Sequence, residues 1–112
     1  HLSNPVVAEL FDAFRKEVLA LDECVTEDFL KLYIAYKAET NFVDVIPQAK
    51  RLKFSINMEF ADINDPKGLC ADVTGLGRWG NGNVMATLDS LDKLPYIMGL
   101  VRQSLELQLG DE

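Results

Sequence analysis

The chain has 112 residues, of which 48% are hydrophobic and 26% charged, the composition of one globular domain of ordinary size. Its formal net charge of −7 argues against generic binding of polyanions, and no apolar run approaches the roughly 18 residues of a membrane span. We therefore expect a single domain over residues 1–112, located in the cytoplasm. A start at His1 rather than Met favours a piece of a longer protein.

The residue types that carry most enzyme chemistry are scarce. The only histidine is His1, which argues against histidine-based acid–base catalysis, Ser/His triads and histidine-containing zinc sites. Cys24 and Cys70 have no CxxC spacing and are expected to be free thiols. Three loop acids fit no calcium-binding pattern: Asp62, Asp65 and Asp72. We therefore expect no catalytic residues, no metal and no cofactor.

The first predicted element is a helix. In "SNPVVAELFDAFRKEVLAL", Asn4 is a candidate N-cap and Pro5 occupies the first helical position. Apolar residues then recur every three or four positions and form one stripe that ends at Leu21. This pattern predicts an amphipathic helix over about residues 5–21.

From Phe29 the hydrophobic period changes to two. "FLKLYIAYKAE" predicts one strand, in which Leu32, Ile34 and Tyr36 point inward. "FVDVIP" and "RLKFSINME" follow after short turns and predict two more strands. Three strands joined by short turns indicate an antiparallel meander with one apolar and one polar face.

The last two predicted elements follow a long irregular stretch. "NVMATL" predicts a fourth strand with Val84, Ala86 and Leu88 inward. "DSLDKLPYIMGLVRQSLELQL" predicts a second amphipathic helix, with Asp92 as N-cap and Gly99 kept small for close packing on the sheet. The order α-β-β-β-loop-β-α predicts an α+β fold: a two-layer sandwich with a four-stranded, mainly antiparallel sheet and both terminal helices on one face.

The stretch "TGLGRWGNGN" at residues 74–83 has the GxGxxG spacing of a dinucleotide-binding fingerprint. That fingerprint requires a helix at its last glycine, whereas a predicted strand follows here, and no Gly-Lys-Ser/Thr phosphate loop is present. We interpret the glycines as a loop that doubles back before the last strand. Trp79 either covers an edge of the core or is an exposed stacking platform for a base or sugar.

The polar face of the predicted sheet is the candidate binding surface. If the helices cover the apolar face, aromatic and basic side chains, together with Ser55, remain on the other. Several modules bind single-stranded nucleic acid or anions in this way, although a merely solvated face is the commoner case. Tyr36 is either part of this surface or part of the core, because it alternates with the residues that point inward. The candidate binding residues are Tyr33, Tyr36, Lys37, Lys53, Asn57 and Trp79.

Several stretches together resemble a known family. They are Tyr-x-x-Tyr-Lys at 33–37, Asn41-Phe42, Asp65-Pro66-x-Gly68-Leu69, Trp79-Gly80-x-Gly82 and the final helix. Over roughly residues 6–108 the chain resembles a bacterial and archaeal family of domains of unknown function, found mostly as C-terminal modules. Some of the longer proteins are predicted restriction-type nucleases, and others are called predicted transport proteins. The family has no established catalytic residues, so the resemblance implies an accessory module and assigns no site.

We therefore expect a non-catalytic accessory domain that binds nucleic acid or a protein partner and serves a protein of the nuclease or defence type. One alternative is a small-ligand-binding protein or small enzyme that uses the Gly-rich loop, which requires a concave pocket between that loop and the sheet. Another is a homodimerisation module. We expect no contact with a membrane.

Overall fold

A computed structural model describes residues 2–76 and 82–110, and its first element confirms the predicted N-terminal helix. This helix, α1, spans Pro5–Leu19 and so ends slightly before Leu21. Asn4 caps it as predicted, because the Asn4 Oδ1 accepts a hydrogen bond from the Val6 N–H at 2.9 Å. Pro5 lies in the first turn, where its missing N–H has no helical partner to lose.

Within residues 2–76 and 82–110 the sheet has six strands rather than the predicted four, and every neighbouring pair is antiparallel. The order of strands across the sheet is β1-β2-β3-β4-β6-β5. The strands are β1 (Thr26–Phe29), β2 (Ile34–Lys37), β3 (Asn41–Pro47), β4 (Leu52–Ile56), β5 (Ala71–Asp72) and β6 (Val84–Leu88). The α+β class and the antiparallel sheet therefore agree with the sequence prediction, and the strand number does not.

The prediction of one strand from Phe29 is wrong, because Phe29 is the last residue of β1, the chain turns at residues 30–33, and β2 begins at Ile34. The Leu30 N–H donates to the Tyr33 carbonyl at 2.9 Å and closes this turn. Leu32 is consequently exposed and does not point inward. The turn contains no Gly, Pro or Asn, so the sequence gives no local signal that the strand stops there.

One face of the sheet, which we call the core face, packs against both helices. Phe14 of α1 contacts the rings of Tyr36 and Phe54 at centroid distances of 5.7 and 4.8 Å. The second long helix, α2 (Leu94–Leu109), contributes its apolar stripe to the same hydrophobic cluster. The residues predicted to point inward from the last strand are buried here, which confirms that part of the prediction: Val84, Ala86 and Leu88.

The helical arrangement differs from the predicted one. Single 3₁₀ turns occur at Phe60–Asp62 and at Leu91–Lys93, directly before α2. Asp92 lies within the second of these turns, and Lys93 occupies the cap position of α2 without a side-chain cap bond. The prediction for Gly99 is also wrong, because this residue is exposed and a Cβ there would meet no atom within 4 Å.

The opposite face of the sheet, which we call the second face, is not the open polar surface that the sequence predicted. Ala35, Asp44 and Ser55 are neighbours across β2, β3 and β4, and all three are buried. Gly82 contacts this face, since its N–H donates to the Ser55 Oγ at 2.9 Å. A binding site that needs open polar sheet therefore has to lie away from the centre of this face, towards the ends of the strands.

Candidate binding site

Two of the predicted binding residues, Tyr33 and Lys53, lie at the same end of the sheet. β2 and β4 are both antiparallel to β3 and so run in one direction; Tyr33 precedes β2, and Lys53 is near the start of β4. We call this the turn end, because it contains the turns at residues 30–33 and 48–51. Both side chains are half-buried, and Lys53 pairs across the sheet with Ile46.

Two others, Lys37 and Asn57, lie at the opposite end, which we call the bulge end after the irregularity at the end of β2. The Lys37 Nζ is 3.8 Å from the Asp28 Oδ2 in an exposed ion pair, a type that contributes little to stability. The Asn57 Nδ2 donates to the Asn41 carbonyl at 2.7 Å. The Asn57 amide therefore fastens the end of β4 to the start of β3. The sheet does not bring these two residues together with Tyr33 and Lys53.

Tyr36 lies in the core, one of the two placements that its alternation allowed. Its hydroxyl donates to the Glu27 Oε2 at 2.7 Å, and Arg15 donates two hydrogen bonds of 2.7 Å to the same carboxylate. Hydrogen bonding by Arg15 is the main cause of a lowered pKa at Glu27. Burial opposes this effect, and the hydrogen bond from Tyr36 lowers the pKa further. Burial, followed by the bond to Glu27, raises the pKa of Tyr36. The cluster joins α1 to β1 and β2, and it leaves Tyr36 no surface for a partner.

A buried polar group lies on the second face. Asp44 is fully buried, and its Oδ1 accepts a hydrogen bond from the Asn41 Nδ2 at 2.7 Å. Ser55, its neighbour across the sheet, accepts the bond from Gly82. Trp79, which the sequence suggested as a core cover or a stacking platform, lies outside the described residues. The pocket required between the Gly-rich loop and the sheet stays a prediction.

The turn end contains an open groove with a volume of about 590 Å³. It is lined by Leu2, by residues 29–34 of the β1–β2 hairpin and by residues 47–49 of the β3–β4 turn. Asn4 fixes the N-terminal segment beside it, since the Asn4 Nδ2 donates to the Ala49 carbonyl at 3.0 Å. The lining thus includes Tyr33 and is otherwise largely apolar.

The large apolar side chains of this groove are exposed, a feature that the sequence prediction missed. The exposed fractions are 57% for Phe29, 43% for Leu30 and 52% for Leu32. Phe29 still packs edge-on against Phe11 of α1, at a centroid distance of 6.1 Å, so α1 fixes one side of its ring. The available signal was the apolar density of "FLKLY", which places apolar residues at both parities of the predicted strand.

Three basic side chains surround the apolar groove. Lys31 lines it, and Lys50 and Arg51 are exposed in the adjacent turn. The ion pairs of the described residues are formed by other bases, and the Arg51 Nε donates instead to the Gln48 Oε1 at 3.0 Å. In a chain of net charge −7, the turn end thus concentrates bases that form none of these ion pairs, although Arg51 also helps to lower the pKa of Asp89.

Asp65, one of the loop acids, organises the turn that follows it. Its carboxylate accepts hydrogen bonds from the Leu69 and Cys70 N–H groups, at 3.1 and 2.8 Å, and from the Tyr96 hydroxyl of α2. Burial opposes ionisation, but these hydrogen bonds together lower the pKa of Asp65. Burial, with Asp65 nearby, raises the pKa of the Cys70 thiol to about 12. The Asp65 carboxylate therefore connects the loop to α2, which is a structural role.

Two further properties concern the described part of the chain as a whole. Residues 2–76 and 82–110 contain no group of three or more His, Cys, Asp and Glu side chains suited to a metal ion. No helix within the same ranges has the length and the apolar character needed to cross a bilayer.

Comparison with known proteins assigns the family. The profile of DUF5655, described as a domain of unknown function, matches residues 1–108. The chain belongs to the DUF5655 family. It is 38% identical over 108 residues to an uncharacterised protein of Haemophilus influenzae, a match that covers 95% of this chain and 36% of that protein. This DUF5655 chain thus spans about a third of the relative's length. No solved structure matches it.

Proposed function

We propose that this chain is a non-catalytic accessory domain, a binding or targeting module that recognises nucleic acid or a protein on behalf of a longer protein. A parent of the restriction-type nuclease or defence class, with this domain at its C-terminal end, is part of the proposal. One observation carries it: an apolar groove, Tyr33 and several bases outside the ion pairs of the described residues coincide at the turn end of an otherwise acidic chain. A relative almost three times as long supports the accessory role.

The proposal assigns no catalytic residue, and this is supported by the structural roles of the two hydrogen-bonded carboxylates whose pKa values are lowered. Glu27 accepts two hydrogen bonds from Arg15 and one from Tyr36. Asp65 is held by a loop and by α2. Perturbed pKa values point to function when a group faces a cleft, and neither of these carboxylates lines the groove.

The turn end rather than the whole sheet face is the proposed contact. A stacking platform needs exposed aromatic residues on central strands, but Ala35, Asp44 and Ser55 occupy the centre of the second face and are buried. Of the predicted binding residues, Tyr33 and Lys53 then belong to the contact. Lys37 and Asn57 lie at the other end and serve as controls.

The test is binding by fluorescence anisotropy of labelled single- and double-stranded DNA and RNA across a salt series, with a peptide-display selection run in parallel. Binding in either arm is expected to weaken in Lys53→Glu and to persist in Lys37→Glu, since these side chains lie at opposite ends of the sheet. Salt-sensitive binding is the signature of phosphate contacts. Failure of both arms at low salt would overturn the proposal.

A second candidate function is small-ligand binding between the Gly-rich segment and the sheet. The observation that favours it is the buried carboxylate of Asp44 beside Asn41 and Ser55, with Gly82 at the same place. A ligand panel monitored by amide chemical shifts would support it through perturbations centred on these residues. Perturbations confined to the turn end would count against it.

A further inference from the structure

We propose that the turn-end groove binds an acidic, apolar polypeptide segment of a separate protein partner. This inference deepens the proposed binding function and depends on it. It assigns the partner class, the chemistry of the recognised segment and the residues that recognise it.

The apolar part of the argument is the exposed hairpin. Phe29, Leu30 and Leu32 lie within four positions of one another, and each is more than two-fifths exposed. Contiguous apolar surface of this kind is uncommon on monomeric proteins and marks interaction sites. Leu2 and Pro47 extend the same surface on the far side of the groove. A partner must therefore offer large apolar side chains.

The charged part of the argument is the basic rim. Lys31, Lys50 and Arg51 border the groove and form none of the ion pairs found among the described residues. Asp28, three positions before Lys31, pairs with Lys37 at 3.8 Å. Asp89 pairs with Lys93 at 2.9 Å, and the charge of Arg51 adds a smaller effect that lowers the pKa of Asp89. A partner with carboxylates beside its apolar residues would complement this rim, and steering would speed its encounter.

A polypeptide fits this chemistry better than the other occupants. The lining contains five aliphatic side chains and a proline against two aromatic rings, so it offers little stacking surface for nucleic-acid bases. A second copy of the chain would bring one basic rim against another and would add the mutual repulsion of two bodies of net charge −7. An acidic segment from a different protein instead places its carboxylates against the basic rim.

The size of the groove limits the segment. Its volume of about 590 Å³ lies within the range of pockets that hold small ligands, and it is open rather than enclosed. Such a groove accommodates a few anchor side chains and not a whole domain. An amphipathic helix that presents anchors at positions i, i+3 or i+4, and i+7 is one established way of filling an apolar groove.

The test uses a labelled peptide of about 14 residues with leucines at the helix-anchor spacing and glutamates between them. One control peptide has lysine in place of glutamate, and another has serine in place of leucine. Anisotropy with the 112-residue chain is expected to detect binding of the acidic peptide, weakened by added salt. Neither control peptide is expected to bind, because each lacks one half of the complementarity.

Variants of the chain then locate the contact. Leu32→Ser and Lys31→Glu are each expected to weaken binding by about fivefold or more, as is typical of anchor contacts and rim charges. Leu107→Ser is the matched control for the leucine, because Leu107 is 53% exposed on α2, away from the groove. Arg102→Glu is the control for the charge, because Arg102 is exposed on α2 and forms none of the ion pairs of the described residues. Circular dichroism and urea unfolding of each variant separate loss of binding from loss of fold.

Several outcomes would overturn this inference. One is equal binding of the acidic and lysine peptides; another is equal losses in Leu32→Ser and Leu107→Ser. Association of the chain with itself through the same groove, seen by sedimentation as a dimer that Leu32→Ser dissociates, would replace the partner with a second copy. Binding of labelled nucleic acid through Lys53 without binding of the peptide would refute this inference and leave the proposed function standing. Binding of neither would remove both.

Discussion

Tyr36 and Glu27 show how the core accommodates polar atoms at the scale of single residues. The Tyr36 hydroxyl has no access to water and donates to the Glu27 carboxylate at 2.7 Å. We expect Tyr36→Phe to lower the free energy of unfolding by about 2 kcal/mol, the usual range for a hydrogen bond to a charged group. Urea unfolding measures this. Tyr33→Phe is the control, because the Tyr33 hydroxyl makes no hydrogen bond among the described residues, and a comparable loss there would contradict the explanation.

The effect of Arg15 on stability should depend on pH. Glu27 has a lowered pKa in the folded chain, so it contributes stability above the ordinary glutamate pKa of about 4.3 and loses that contribution as pH falls through the folded value. Arg15→Gln removes the main cause of the lowered pKa. The loss in unfolding free energy is therefore expected to be largest near neutral pH and to shrink at acidic pH.

Urea titrations of the parent chain and of Arg15→Gln at a series of pH values check this expectation. Arg102→Gln is the control, since Arg102 is exposed on α2 and is absent from the ion pairs of the described residues. A loss in Arg15→Gln that stays constant from neutral to acidic pH would show that the guanidinium stabilises the fold by packing its stem rather than through Glu27.

At the scale of elements, two glycines should respond to the same substitution with opposite signs. A Cβ at Gly82 would lie 2.1 Å from the Ile56 carbonyl oxygen, a backbone atom that cannot move away cheaply, whereas a Cβ at Gly99 would meet nothing within 4 Å. Gly82→Ala is expected to destabilise the chain by about 1–3 kcal/mol. Gly99→Ala is expected to stabilise it by about 0.5–1 kcal/mol, since alanine favours the interior of α2. Thermal and urea unfolding of both variants give the signs, and a shared sign would contradict this account.

The elements that sequence patterns predicted well are those with strong local signals. α1 has a cap, a proline and a continuous stripe, and β4 and β6 have clear alternation and are buried on the core face. The prediction missed β1 apart from Phe29 and continued the next strand through the turn, because that turn carries no turn-forming residue. β5 has two residues, too few for any period, and it exists because the chain returns beside β6. A local sequence pattern cannot predict a strand that forms only because of its tertiary pairing.

At the scale of the whole molecule, the candidate site was predicted only in part, because its residues come together through tertiary structure. Alternation placed Tyr33 and Lys37 on one side of the predicted sheet, but in the structure Tyr33 precedes β2 and Lys37 is its last residue, so they lie at opposite ends. The groove joins the N-terminal segment at Leu2 to two turns that are far from it in sequence. A site assembled from three separated segments has no contiguous motif, so it becomes visible when the fold brings those segments together.

The N-terminal segment and the end of α2 lie at opposite ends of the sheet, and this leads to a prediction about fusion proteins. Leu2 lines the groove, whereas Gln108 in the last turn of α2 bonds with Thr40 and the Asn41 carbonyl at the bulge end. β3 separates the two ends by about 20 Å at the usual rise per residue. A folded protein fused directly to residue 1 should therefore hinder the acidic peptide, and the same protein attached after residue 112 should not. The proposed parent, which also precedes residue 1, then requires a flexible linker that keeps the groove open. Anisotropy titrations of the two fusions measure this difference. Equal affinities would mean that the peptide binds outside the groove, because a body joined beside Leu2 cannot leave that surface fully open.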